Sequence, residues 1–298
     1  MPGVCGARYG RAQLGCVGSG PEHPMAPAAI FAAVRRHLAG TGVLSRRTLE
    51  LRRVPAGSDG EGATGASGAG AGDTAFGMFA RRAVAPGEVL VEVPLDRALW
   101  RETVDLPSLG VDLPPNSLLS EAERMALFLA VLRHRAERGR LPPGHPFAEY
   151  AAALLMGGTP RSTILWSVEE LTWLDGTEAH ELTLHLLGRV AHLHSVVPHV
   201  AELNDLKAAF AQYNARHSRL WIGGSGMFPD KLDTAIFPGI DLCRHQEGAA
   251  RLVFDPGSRV VRVVADRALA AGDEVRVDFR SQDLTDRLVT VGGAAGGA

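Results

Sequence analysis

The sequence is short of sulfur, of net charge and of long apolar runs. Cys5, Cys16 and Cys243 are its only three cysteines. So few, so widely spaced, build neither a disulfide framework nor a four-cysteine zinc site. The formal charge is −2, which excludes a globally basic surface of the kind a dedicated nucleic-acid binder carries. No apolar run reaches the roughly eighteen residues of a membrane-spanning helix. No tyrosine follows Tyr213, and residues 1–20 hold no acid. What is present suits a globular chain: 298 residues, 46% hydrophobic and 21% charged, enough for one large domain or two small ones.

The charge is uneven. Residues 1–53 hold eight Arg and two acids, a balance of +6, so the rest of the chain carries −8. An Arg-bearing, acid-poor, Ala-rich start has the composition of an organelle transit segment, and equally of an unpacked tail. Residues 28–38 are able to form a short amphipathic helix under either reading. Residues 1–54 are therefore taken as a basic extension. Residues 55–73 follow as a Gly/Ala/Ser linker too poor in apolar surface to order itself. Order is expected from about Thr74.

Strand signals come next, at 75–83 and 89–93, separated by Ala85-Pro86-Gly87-Glu88. Pro then Gly at the centre of a turn favours type II geometry, and the pair reads as a β-hairpin. The middle is helical. Ser120-x-x-Glu123 and Ser167-x-x-Glu170 are capping boxes. Helices are expected from Ser120 to Gly139, over 147–155, from Ser167 to about 174, over 177–197 ahead of Pro198, and over 201–218. Strands return at 235–240, 251–255, 260–265 and 274–279, with Pro256-Gly257 closing a hairpin. Strands bracketing a helical insert imply an α+β fold. The histidines His180, His185, His192, His194 and His199 lack the three- or four-residue spacing that brings two ligands to one ion on a helix. No metal site is expected, and these side chains read as a solvated helix face. Trp166 and Trp173 read as core anchors of the insert. Cys243 reads as a packed thiol.

Two blocks carry a family resemblance. Residues 76–90, FGMFARRAVAPGEVL, resemble the opening of a SET domain. Ile240-Asp241-Leu242-Cys243-Arg244-His245, a hairpin, and then ALAAGDEV at 268–275 resemble that domain's D-M-x-N-H core and its G-E-E-V strand. Between them Ser218-Arg219, and Trp166-Ser167 with Glu169-Glu170-Leu171 and Gly176-Thr177, look like the branch holding Rubisco lysine methyltransferase and the actin-histidine methyltransferase. The resemblance covers about residues 75–290. It implies a SET (β-clip-like) domain at 74–291, made of short β-sheets split by a helical insert over about 101–234. It also implies a pseudoknot-like C-terminal crossing, with a tail over 292–298.

The implied activity is transfer of a methyl group from S-adenosylmethionine to a protein lysine, or to a histidine. The implied partner is a protein substrate, with no membrane and no specific nucleic acid. Residue by residue, Phe76, Gly77 and Met78 match the strand whose backbone approaches the cofactor. Arg219 matches the arginine that pairs with its carboxylate. Asp241 and His245 match the ends of the core motif and keep the pocket shaped.

Three departures stand out. Arg244 replaces the family Asn, and can only donate where an amide also accepts. Phe279-Arg280 replaces Tyr-Gly, so Phe279 stands at the catalytic position without the hydroxyl that orients the acceptor. Roughly 10²–10³ in rate attaches to one positioned polar group of that kind. Val291-Gly292-Gly293 replaces the terminal Tyr-Gly-Phe. These departures favour a rival reading, a SET-derived protein-interaction module impaired in catalysis. The low-complexity end supports a third, a family member lacking its C-terminal half. The compartment stays open between cytoplasm or nucleus and, for a transit segment, plastid or mitochondrion.

Overall fold

The computed structural model describes residues 27–40, 42, 48–54, 75–114, 117–138, 140–142, 144–150, 160, 162–220 and 233–279. Among them lie helix α1 (Pro27–Gly40), strands β1 (Leu49–Val54), β2 (Ala75–Ala80) and β3 (Val89–Pro94), and helix α2 (Glu121–Glu137). Then come α3 (Val168–Leu171), α4 (Glu178–Val196), α5 (Leu203–Arg216), β4 (Ser218–Leu220) and β5 (Asp233–Ala235). The chain closes with β6 (Arg244–His245), β7 (Ala250–Asp255), β8 (Val260–Ala265) and β9 (Arg276–Val277). The sheets are small: β1 with β2, β4 with β5, β6 with β9, and a three-stranded β3-β8-β7. Strands thus flank a run of helices, the α+β order that the sequence pattern implies.

The helices form where local chemistry starts them. At α2 the Ser120 hydroxyl accepts from the Glu123 backbone N–H, and the Glu123 carboxylate accepts from the Ser120 N–H at 2.7 Å. The same reciprocal box opens α3, between Ser167 and Glu170. Thr177 caps α4. Every residue from Met125 to Leu132 is buried, so the central two turns of α2 are apolar all round and lie in the core. It packs on α5, which buries Leu206, Phe210 and Tyr213. Gly87 has φ of +83° and the Glu88 N–H donates to the Ala85 carbonyl at 3.2 Å. That is the left-handed third residue a type II turn requires.

The expected boundary at Thr74 does not hold. In α1, Ala33, Val34 and Leu38 are buried, and β1 buries Leu49 and Leu51 in the same core. β1 then pairs antiparallel with all of β2, from Leu49 opposite Ala80 to Val54 opposite Ala75. The described arginines of this stretch stay outside. Arg35 and Arg36 are exposed on α1, and Arg52 lies over the Phe79 ring at 5.0 Å. Arg and apolar residues share one segment because its two faces differ, which a charge balance does not register.

The hairpin expected between 75–83 and 89–93 is corrected for the same reason. β2 takes β1 as partner, and β3 pairs with β8 instead. The hairpin of β7 with β8 is present, Ala250 opposite Ala265 and Asp255 opposite Val260. Of the strand expected at 235–240 only Ala235 lies in a ladder, β5, and Ile236 makes an isolated bridge to Leu99, before Ile240–Leu242 turns into a 3₁₀ helix. The linker at 55–73, Arg280, the terminal motif at 291–293 and the tail lie outside the described residues.

Candidate functional site

The parallel pairing of β6 with β9 builds the centre of the site. Arg244 lies opposite Arg276 and His245 opposite Val277. The Gln246 N–H donates to the Val277 carbonyl at 3.1 Å, and the Asp278 N–H donates to the Ala250 carbonyl at 2.7 Å. Parallel strands need a crossover, here the β7–β8 hairpin. The crossover carries the chain end back beside the core motif, so His245 and Phe279 meet. The Phe279 N–H donates to His245 Nδ1 at 3.3 Å, and the two rings lie 6.3 Å apart at 32°. With Nδ1 accepting, the ring proton of neutral His245 sits on Nε2.

Asp241 occupies a sealed position behind this centre. Its side chain is fully buried. Oδ1 accepts from the Gly239 N–H at 2.9 Å and Oδ2 from Arg216 at 3.2 Å. Burial pushes its carboxyl above the ordinary Asp value, against the pull of Arg216 and of the Gly239 N–H. The fully buried Tyr150 hydroxyl feels the same carboxylate, and burial together with that charge holds it well above its ordinary value. Asp241 is thus a brace for the 237–243 turn. Cys243 is buried in that turn, and burial, then the charges of Asp241 and Glu274, push its thiol strongly upward. A thiol held protonated is a poor nucleophile, in keeping with a packing role.

Arg244 lies against the next layer. It is buried, and its Nε donates to Glu274 Oε1 at 2.5 Å. Arg276 Nε donates to the other oxygen, Glu274 Oε2, at 3.1 Å. Glu274 is bridged to Phe79 of β2, and its Oε1 stands 3.2 Å from where a Gly77 side chain would begin. Val54 and Phe79 crowd the same point, at 3.1 and 3.0 Å. A side chain at position 77 would thus press on Glu274, Phe79 and Val54, each of which would have to give by a few tenths of an ångström. Its neighbour Met78 is buried and its carbonyl accepts from the Val275 N–H at 2.8 Å. Phe76 is half-buried and tilted against Phe31 of α1, the centroids 5.7 Å apart.

Arg219 stands on β4, opposite Thr234 of β5, and is exposed. Among the described residues no ion pair engages it. Just before it, His217 stacks on Tyr213 with ring centroids 4.7 Å apart, and its Nδ1–H donates to the Tyr213 carbonyl at 3.0 Å. Burial pushes His217 down to about 4, so it is neutral at pH 7 and adds no charge beside Arg219. Tyr213 in turn donates to the Thr234 hydroxyl at 2.9 Å, which holds β5 against α5.

The structure therefore joins Gly77 to Arg244 through Glu274, and His245 to Phe279. Asp241 lies three residues before Arg244 and faces the other way, to Arg216. No described hydrogen bond or ion pair links Arg219 to the others. Sequence reasoning missed Arg216, Tyr150 and Glu274 as parts of the site. Arg216 sits two residues before the Ser218-Arg219 pair, and Glu274 sits in the quoted 268–275 block. A buried arginine in place of an amide requires a buried acid, a requirement that sequence reasoning did not follow to Glu274.

No protein-family model matches the chain, and no curated protein matches it. Solved structures do. The SET domain of LSMT bound to lysine and AdoHcy shares 17% identity at a TM-score of 0.63, over 89% of this chain and 57% of that one. Rubisco LSMT bound to AdoMet gives 17% identity and 0.60, over 88% and 55%. Rubisco LSMT bound to sinefungin and monomethyllysine gives 17% and 0.58, over 88% and 56%. The fold is that of a SET domain. The chain spans little more than half the length of these proteins.

Proposed function

We propose that the chain is a SET-type protein methyltransferase that uses S-adenosylmethionine and acts on lysine. The observation that carries this reading is the convergence of His245, Phe279, Glu274 and β2 on one crossing within a SET fold whose solved neighbours hold AdoMet, AdoHcy or methyllysine. The residues present fit a cofactor with a carboxylate end. Arg219 offers an exposed guanidinium without an ion-pair partner among the described residues, and guanidinium matches carboxylate bidentately. Arg244 does not stand as a bare cation toward a cofactor ammonium, because Glu274 neutralises it.

When bound, the cofactor would supply an electrophilic methyl carbon for a neutral amine, with the neutral thioether as the leaving group. This chain's residues do the rest. The β2 backbone and Arg219 would hold and orient the cofactor. The Phe279 ring, fixed by its N–H on His245, would line the acceptor channel. A lysine amine with an ordinary pKa of about 10.4 must shed its proton, and desolvation in that channel would disfavour the charged form. Orientation without a tyrosine hydroxyl is left to alignment of donor and acceptor.

Transfer of labelled methyl to a protein extract tests the reading, with Phe279→Tyr alongside. Labelled lysine in the wild type, and a rate raised roughly tenfold or more in the variant, support it. A folded wild type and variant that both transfer nothing contradict it. A second reading, an interaction module without catalysis, is favoured by the same missing hydroxyl and by the buried Arg244.

A further inference from the structure

The short lobe of α3 and α4 leaves two large apolar side chains in solvent. Trp173 is 78% exposed and Val168 76%. Trp173 is not loose. Its ring meets Trp166 edge-on at 6.5 Å and 69°. Beneath it Leu174 and Ala179 are buried, packed against Trp166, Leu171, Leu182 and Leu186. The platform is set before anything lands on it. The expectation that both tryptophans are core anchors is thus met by Trp166 alone.

Along the lobe's own sequence, between Arg161 and Arg189, the fixed charge is of one sign. Residues 162–188 contain no Lys or Arg, although the chain has 31, and they carry Glu169, Glu170, Asp175, Glu178 and Glu181. All five are exposed. Glu170 also caps α3, and Asp175 faces His180 Nδ1 at 3.4 Å.

We infer that this lobe docks a protein segment that is both basic and apolar. Lys or Arg side chains of the partner meet the carboxylates and the indole face, which attracts cations. An apolar partner side chain covers Trp173 and Val168. Exposed aromatic groups on a fixed base are typical centres of binding energy. The charge selects the occupant. A second copy in a two-fold pair sets five carboxylates against five. Nucleic acid and anionic lipid are repelled by them.

The test uses the full chain and two labelled fifteen-residue synthetic peptides. One has lysines flanking a Leu-Phe pair, and its twin has glutamates at the lysine positions. Fluorescence anisotropy is expected to show binding of the first only, weaker at about 0.5 M salt than at about 0.05 M. Trp173→Ala and the double charge reversal Glu169→Lys, Glu178→Lys are each expected to weaken it roughly tenfold or more. Circular dichroism melts check that both variants stay folded. Equal binding of the two peptides, or unchanged binding by folded Trp173→Ala, overturns the inference. So does self-association in sedimentation that Trp173→Ala abolishes, which assigns the face to a second copy. None of these readouts involves methyl transfer, so the inference stands or falls apart from the proposed function.

Discussion

The N-terminal segment and the α3–α4 lobe make opposite use of similar side chains. The first is basic and rich in alanine, yet Val34, Leu38, Leu49 and Leu51 are buried under β2. The second is acidic and carries two tryptophans, yet Trp173 stands in solvent. Burial follows the partner that an element finds. β1 finds the whole length of β2, whereas α3 and its following turn find only one side of α4. Net charge describes the outer face alone.

Removal of residues 1–54 is the harshest way to break that comparison. It uncovers β2 along its full register, with the fully buried Met78, and takes the fully buried Leu38 and Leu49 out of the core. Loss of cooperative thermal unfolding is expected. Retention of a sharp transition contradicts the account of this segment as core.

Arg216→Ala ranks next. It leaves the Asp241 carboxylate buried without its cation, with the Gly239 N–H and the Tyr150 hydroxyl beside it. Loss of one partner from a buried pair costs about 3–5 kcal/mol. Urea unfolding reads this out, and a loss below about 1 kcal/mol contradicts a sealed pair.

A third effect runs with pH. His37 on α1 stacks on Tyr150 at 5.1 Å, and burial pushes it down to about 4, with Glu149 opposing and Arg97 assisting. His217 is held at about 4 as well. The unfolded chain takes these protons near the ordinary value of about 6.5, above where the folded chain does. Their stabilising effect is therefore full above that pH and falls away as pH drops toward 4. Carboxylates held low, such as Glu123 and Asp255, give up theirs at lower pH still. Melting temperature is expected to fall between about pH 6.5 and 4.5, and His37→Phe to flatten part of that slope. A flat wild-type profile contradicts it.

Trp173→Ala has the smallest effect on the fold. An exposed side chain away from core and caps shifts stability by about 0.5 kcal/mol or less. A larger loss makes Trp173 part of the lobe's own packing.

The local starts were legible in the sequence. Both Ser-x-x-Glu boxes, the Pro86-Gly87 turn and the β7–β8 hairpin are short-range patterns, and each formed as read. Long-range pairing was not. Nothing in residues 75–93 states that β2 will choose β1 across a twenty-residue gap and β3 will choose β8. Of the site, the motifs named His245 and Phe279, which meet in the fold, and Arg219, which is exposed. The counter-charges were not, because Arg216 lies 25 residues from Asp241 and Glu274 lies 30 from Arg244. An ion pair at that separation leaves no periodic trace.

The most direct measurement is a calorimetric titration of the full chain with S-adenosylmethionine, with Arg219→Ala beside it. The account predicts binding in the micromolar range, lost or weakened roughly tenfold or more in the variant, as removal of a charge-assisted partner requires. No binding by a folded wild-type chain, or equal binding by Arg219→Ala, contradicts it.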